Sequence, residues 1–239
     1  MPFHSIRSLP EGALLGLWHL TETPAELWPH LANQASYAPL LPARAEGPRQ
    51  AQWLAGRVLV QHLLGVICSG PSRYLPVLGN DDAGRPYLLN LNSRKRQGGI
   101  SLSHSGEWVA ALLAPAAARV GVDIEVVRDK AQRLAGKFLS NVELAAAEAL
   151  SPAASSSLSP IELYSLLWSA KETLYKLAGR RGVIFRENLL LELTGGSWPA
   201  AGTMPARLSL PDCNSRHQIC YLSPAAGYVL TYCVSHSTS

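Results

Sequence analysis

Apolar residues recur every three to four positions from about Pro48 to Leu64, through Trp53, Leu54, Val58, Leu59 and Leu63. That spacing predicts a helix with one buried face. The same period over Ile161 to Leu177, with apolar residues at 163, 166, 167, 174 and 177, predicts the strongest helix of the chain. Shorter runs predict strands at Leu14–Leu20, Pro86–Leu89, Ile100–Ser103, Glu107–Leu113 and Arg119–Glu125. Later strands are expected at Leu189–Leu193, Ala206–Leu210, His217–Leu222 and Tyr228–Val234, and helical segments at Lys130–Phe138 and Asn141–Leu150. Thr23-Pro24 marks a further helix start, since proline suits the first helical position. Asn80-Asp-Asp-Ala-Gly84 is a turn cluster, 90–99 a basic loop, and Ser151–Pro160 a Ser/Pro/Ala-rich loop. Strands and helices occur in both halves, so the expected fold is α+β, in two units of residues 1–120 and 121–239.

Composition narrows the function. With 47% hydrophobic and 16% charged residues the chain is expected to pack as a globular protein. The balance of 21 Lys+Arg against 17 Asp+Glu, +4, suits an anionic ligand or an acidic partner but is too dispersed to argue for nucleic acid. The longest nearly charge-free stretch, Trp108–Ala118, contains Pro115 and is far shorter than the roughly 20 residues of a membrane span. The first residues lack a signal-peptide pattern. Four cysteines (Cys68, Cys213, Cys220, Cys233) show no CxxC or zinc spacing and read as thiols of a reducing cytoplasm.

Two constellations carry acidic chemistry. In Gly121-Val-Asp-Ile-Glu125, strand alternation puts Asp123 and Glu125 on one side and Val122 and Ile124 toward the core. Carboxylates about 6–7 Å apart repel by roughly 2–3 kcal/mol at an effective dielectric near 20. The pair faces water at a strand end, retains a proton, or holds a cation, of which a hard divalent ion matches best because it prefers oxygen ligands. In Trp168-Ser-Ala-Lys-Glu-Thr-Leu-Tyr-Lys176, Glu172 and Lys176 lie four apart on one helix face. They form either an ordinary i,i+4 ion pair or a third carboxylate with a phosphate-neutralising lysine.

Other residues admit two readings as well. Ser101-Leu-Ser-His-Ser-Gly106 is no hydrolase signature, because adjacent strand residues point to opposite faces and no GxSxG elbow is present. It offers either donors to a phosphate or a core histidine. Arg44, Arg49, Arg57 and Arg85 are either phosphate forks or isolated surface charges. Ser140 and Glu143 fit a capping box, a structural role that competes with catalysis for Glu143.

In their joint order, Arg49-Gln-Ala-Gln-Trp-Leu-Ala-Gly-Arg57, Gly84-Arg-Pro-Tyr87, Ile100-Ser-Leu-Ser-His-Ser105, Gly121-Val-Asp-Ile-Glu125, Phe138-Leu-Ser-Asn-Val-Glu143 and Trp168–Lys176 resemble the 4′-phosphopantetheinyl transferases of the long, pseudo-dimeric kind. The resemblance spans about residues 44–180, with Gly227-Tyr-Val-Leu similar to the family's last strands; the first forty residues and 151–160 carry none. It implies two similar α/β subdomains with the active site in the cleft between them. It implies Mg²⁺, with Mn²⁺ as the alternative, on Asp123, Glu125 and Glu172. Coenzyme A would be held through Arg49, Arg57, Arg85, Ser103, His104, Lys171 and Lys176. Glu172 would take the proton of the acceptor serine, with Glu143 the runner-up, and Lys176 would stabilise phosphate charge. The partners implied are apo acyl or peptidyl carrier proteins of fatty-acid, polyketide and nonribosomal-peptide synthesis, served by a cytoplasmic monomer with no nucleic acid or membrane partner. A phosphate- or nucleic-acid-binding module would need no metal and leaves the Asp123/Glu125 pair without a purpose. A metal-dependent nuclease or phosphatase would act with no carrier protein.

Overall fold

The helix at Pro48–Ile67 buries the face that its three-to-four spacing marks: Leu54, Val58, Leu59 and Leu63 are each at most 1% exposed. In the computed structural model the described residues are 3–41, 47–67, 76–89, 96–115, 118–150, 158–193 and 198–236. Arg44, Cys68, the basic stretch 90–95 and most of the Ser-rich stretch, 151–157, lie outside them. The chain divides into two compact units, Met1–Val120 with His236–Ser239, and Gly121–Ser235.

The first unit runs β1 (Phe3–Ser8), β2 (Leu14–His19), α1 (Pro24–Leu27), α2 (Gln34–Tyr37), α3 (Pro48–Ile67), β3 (Val77–Asn80), β4 (Pro86–Leu89), β5 (Arg96–Gln97), β6 (Gly99–Ser105) and β7 (Trp108–Ala114). An antiparallel sheet has the order β1-β2-β7-β6, and a small second one β3-β4-β5. Helix α3 packs on the larger sheet. Gly56 faces Leu102 and Val109, and Gly16 gives Leu59 and Leu63 room that a Cβ, 2.9 Å from Leu59 Cδ1, would take away. Thr23 caps α1 in a reciprocal box with Glu26, as its sequence suggests.

The second unit is β8 (Ala118–Val126, begun in the first unit), α4 (Asp129–Arg133), α5 (Ala135–Phe138), α6 (Asn141–Leu150), α7 (Pro160–Ala178), α8 (Phe185–Asn188), β9 (Leu189–Leu191), β10 (Ala201–Leu210), β11 (Cys213–Leu222) and β12 (Tyr228–His236). Its sheet has the order β8-β12-β11-β10-β9, with β10 and β11 paired in unbroken register from Ala201–Leu222 to Leu210–Cys213. Ser159 and Glu162 form a capping box at the start of α7, and Gly179 ends it in the left-handed conformation, φ 63°. Leu163, Leu167, Leu174 and Leu177 carry the helix into a core with Phe138, Met204, Leu208 and Ile219.

Helix α7 lies with its backbone directly on β8. A Cβ at Gly121 would overlap the Thr173 carbonyl oxygen and come within 3.1 Å of its carbon. Three fully buried hydroxyls tie α7 to β8 and to its neighbour β12: Ser169 Oγ donates to Asp123 O at 3.3 Å and meets Thr231 Oγ1 at 2.9 Å, and Thr173 Oγ1 meets Thr231 Oγ1 at 2.6 Å.

The architecture is α+β, as the sequence pattern indicates. Strands β1 and β3 were not visible in that pattern, and the helical stretch at Lys130–Phe138 is two helices, broken at Leu134 (φ −101°, ψ 5°). No helix among the described residues is long and apolar enough to cross a membrane.

Gly121→Ala is expected to destabilise the protein by about 1–3 kcal/mol in urea unfolding, because backbone must move to admit the methyl group. Gly65→Ala, in α3 with open space around its Cβ, is the control and should stabilise by up to about 1 kcal/mol.

Candidate active site

Trp168, Glu172 and Lys176 lie four residues apart and so form one stripe along α7. That stripe meets the end of β8, where Asp123 and Glu125 lie two residues apart. Trp168 Nε1 donates to Glu125 Oε1 at 3.0 Å, and Lys176 Nζ donates to Asp123 Oδ1 and to Val122 O, both at 2.8 Å. Lys176 thus pairs with the strand carboxylate rather than with Glu172, its neighbour one turn away. Asp123 is 3% exposed, which rules out a solvated strand end for that side chain. Val122 and Ile124 are also fully buried, so β8 is covered on both faces. The Trp168 ring is held edge-on by Phe138 (centroids 5.1 Å, 79°) and stacked on Phe185 (5.7 Å, 20°). Its hydrogen bond to Glu125 gives Trp168 a place at the site that only its four-residue spacing from Glu172 signals in the sequence.

Glu172 completes the cluster. Burial pushes its carboxyl up to about 7, and the charges of Asp123 and Glu125 add to the rise while Lys176 opposes it. Three carboxyl groups therefore feel one another in a half-buried place with one ammonium among them.

Two sequence-selected residues turn away from this cluster. Lys171 is fully buried and its Nζ meets Glu143 Oε1 at 2.7 Å, Phe185 O at 3.2 Å and Leu189 O. Glu143, 3% exposed, also accepts from Ser140 N at 2.7 Å and Leu191 N at 2.6 Å, and Ser140 Oγ completes the capping box by accepting Glu143 N. Burial pushes the Lys171 ammonium below its ordinary range, with Glu143 opposing. Here the structure differs from the expectation of a phosphate-binding Lys171 and a proton-accepting Glu143. Each has its hydrogen-bonding capacity taken up inside the core, in a pair that joins α6, α7 and β9.

The basic residues of the first unit fall into two sets. Arg49 is exposed in the first turn of α3. Gln52 Nε2 donates to Gly106 O at 2.8 Å, which brings that turn beside the β6–β7 connection that follows Ser103 and His104. Ser103 is half-buried and His104 exposed. Arg85 follows the Asn80–Gly84 turn, half exposed, with its Nε and Nη2 donating to Asp81 Oδ2 at 2.9 and 2.8 Å. Hydrogen bonds led by the Arg85 backbone N–H hold the Asp81 carboxyl below its usual range. Arg57 differs from the expectation of a phosphate contact: it is 6% exposed, lies 3.4 Å over the Trp53 ring, and burial lowers its pKa to about 10.

The acidic cluster has the donor chemistry of a hard divalent cation, all oxygen and with surplus negative charge. Among the described residues no three acidic, histidine or cysteine side chains are grouped closely enough to hold a metal ion by themselves. Mg²⁺ does not need such a group, because it takes one or two carboxylates and completes its octahedron with water and substrate phosphates. The carboxyl oxygens of Asp123, Glu125 and Glu172 match the donor class of such an ion.

This fold and site belong to a known class. The family model of the 4′-phosphopantetheinyl transferase superfamily matches residues 119–233, the stretch that holds β8, α7 and the whole acidic cluster. The chain is 33% identical over 150 residues to the 4′-phosphopantetheinyl transferase AcpT of Escherichia coli, covering 60% of this chain and 68% of that protein. It is 30% identical over 179 residues to AcpT of Salmonella typhimurium, covering 73% and 76%. Over 128 residues it is 30% identical to the 4′-phosphopantetheinyl transferase psf-1 of Bacillus pumilus, covering 53% and 49%. The chain belongs to the 4′-phosphopantetheinyl transferase superfamily and is a transferase of that type.

Two outcomes follow from the charges. In metal-free protein the raised Glu172 pKa favours folding below its ordinary value of 4.5, and that contribution is lost as pH rises to about 7. The melting temperature of EDTA-treated protein should therefore fall over this range relative to Glu172→Gln, which carries no such slope; parallel curves would refute the coupling. Lys171→Met leaves Glu143 buried beside an uncharged neighbour and should cost about 3–5 kcal/mol in urea unfolding.

Proposed function

We propose that this enzyme moves the 4′-phosphopantetheine arm of coenzyme A to a serine hydroxyl of an apo acyl or peptidyl carrier protein, with 3′,5′-ADP as the leaving group and Mg²⁺ required. The observation that carries the reading is the cluster of Asp123, Glu125 and Glu172 with Lys176 set into it. A requirement for a hard cation, a cation-compensated phosphate site and a carboxylate able to take a proton meet there in six or seven ångströms of strand, roughly two residues' rise.

Attack by the serine oxygen on the β-phosphorus forms one P–O bond as the bond to the bridging pyrophosphate oxygen breaks. Such transfer needs positioning, neutralisation of charge and a proton acceptor. Asp123, Glu125 and Glu172 would hold the metal ion, which supplies charge stabilisation to the pyrophosphate oxygens when bound. The proton acceptor is assigned to Glu172 rather than Glu143, because Glu143 is sealed in its ion pair with Lys171 while Glu172 is half-buried at the cluster. Lys176 keeps a quarter of its side chain exposed beside Asp123 and is placed to meet phosphate charge. Arg49, Arg85, Ser103 and His104 are assigned to the coenzyme's phosphates. That both units, as halves of a pseudo-dimer, contribute to one coenzyme site rests on the family resemblance. The cysteine pattern supports placing the enzyme in a reducing cytoplasm, where it is proposed to act as a monomer.

Intact mass of a generic apo acyl carrier protein, incubated with this protein, coenzyme A and Mg²⁺, should rise by one phosphopantetheine arm, and EDTA should abolish the gain. Glu172→Gln and Asp123→Ala should slow transfer by about 10²-fold or more while keeping native far-UV dichroism. Full transfer in EDTA, or wild-type turnover in both variants, would overturn the metal and base assignments.

A further inference from the structure

Arg57 is a buried cation with no carboxylate paired to it among the described residues. Its Nη1 donates to the Trp53 carbonyl at 3.1 Å and its Nη2 to Asn80 Oδ1 at 3.2 Å, and Nε is buried with no acceptor. A guanidinium held by neutral partners alone is an expensive way to fill a core, since an apolar side chain of similar length would leave nothing desolvated. The Arg57 fork does something an apolar chain cannot: it reaches from the middle of α3 to the last residue of β3.

What lies beyond that residue is a fully bonded turn. Asn80 Nδ2 donates to Gly84 O at 2.9 Å, Gly84 N to Asp81 O at 2.8 Å, and Asp81 N to Arg85 O at 2.9 Å. Asp81 Oδ1 accepts from Ala83 N at 3.0 Å and Arg85 N at 2.9 Å, and Gly84 takes the left-handed conformation, φ +84°, that the turn requires. The turn ends on Arg85, whose guanidinium is oriented by Asp81. On the other side of β3, Leu78 N donates to the Tyr37 hydroxyl at 2.8 Å, and Tyr37 stands edge-on to Trp53, the ring under Arg57. The strand that launches the turn is thus gripped by Tyr37 through its backbone and by Arg57 through Asn80.

We infer that Arg57 is a positioning residue for coenzyme binding: through Asn80 it fixes the Asn80–Arg85 turn, and so sets where Arg85 presents its guanidinium to a phosphate. The inference rests on the assignment of Arg85 to the coenzyme. It gives Arg57 no contact with the ligand and no share in the transfer step.

Steady-state kinetics of the full chain with an apo carrier protein test it, using Arg57→Lys, Asn80→Ala and Arg85→Ala singly, and Asn80→Ala combined with Arg85→Ala. Arg57→Lys keeps the charge but loses the fork, and Asn80→Ala breaks the relay at an exposed side chain, removing both the Arg57 acceptor and the bond to Gly84 O. Each should raise KM for coenzyme A by about tenfold, the effect of one hydrogen bond to a charged group, with kcat and KM for the carrier unchanged. Asn80→Ala should add nothing once Arg85→Ala is present. A rise with Arg85→Ala, but only a lowered melting temperature with Asn80→Ala and Arg57→Lys, would sink the positioning role alone. The same follows if Asn80→Ala multiplies with Arg85→Ala. An unchanged KM in Arg85→Ala would remove the coenzyme assignment of Arg85 itself, and the inference with it.

Discussion

The close seating of α7 on β8 is the constraint on which the acidic site depends. Gly121 permits it by having no Cβ where the Thr173 carbonyl lies, Ser169 Oγ ties the helix to β8 through Asp123 O, and Ser169 and Thr173 tie it to the neighbouring β12 through Thr231. Once the helix is that near, its stripe of Trp168, Glu172 and Lys176 has to lie over Asp123 and Glu125. Three carboxyl groups then share one half-buried place, and the ammonium of Lys176 and the indole N–H of Trp168 are the groups that make the strand pair tolerable there. The buried hydroxyl cluster follows the same logic, because a polar tie with every partner satisfied specifies one register where an apolar contact would accept several.

The cations of the chain divide according to what surrounds them rather than by type. Lys171 and Lys176 are five residues apart, so about 140° of helix rotation separates them. One points into the core toward Glu143 and two carbonyls, and the other toward the strand end with part of its chain in water. The arginines divide likewise. Arg57 is spent inside its unit on Asn80 and the Trp53 ring, whereas Arg85 is half exposed and steadied by Asp81. The basic residues of this chain are thus separated by their exposure and by whether their donors are already taken.

This division explains what could be read from the sequence. The long helices were legible because their apolar period persists over several turns, and the Asp123/Glu125 pair because strand alternation puts residues two apart on one side. The capping box at Ser140 and Glu143 was legible for a local reason, three residues of spacing. The fate of Lys171 was not, since its acceptors come from Glu143, Phe185 and Leu189, residues that only tertiary packing brings near it. Asp123 shows the same limit, for alternation gives the side of the strand but not the helix that covers that side. Strands β1 and β3 escaped because they are short and without clear alternation, and β3 is defined by its pairing with β4 and held by the Tyr37 and Arg57 contacts, which only the folded chain supplies.

Charge balance links the proposed metal to the packing. Burial first, and the neighbouring carboxylates of Asp123 and Glu125 after it, raise the Glu172 carboxyl to about 7 against the opposing charge of Lys176. A divalent cation opposes that rise, since an added positive charge among the three carboxyl groups favours the ionised form of each. Both roles assigned to Glu172, metal ligand and proton acceptor, need that ionised form. On the proposed reading, the packing that raises the Glu172 carboxyl therefore also makes its proton inventory sensitive to a bound cation.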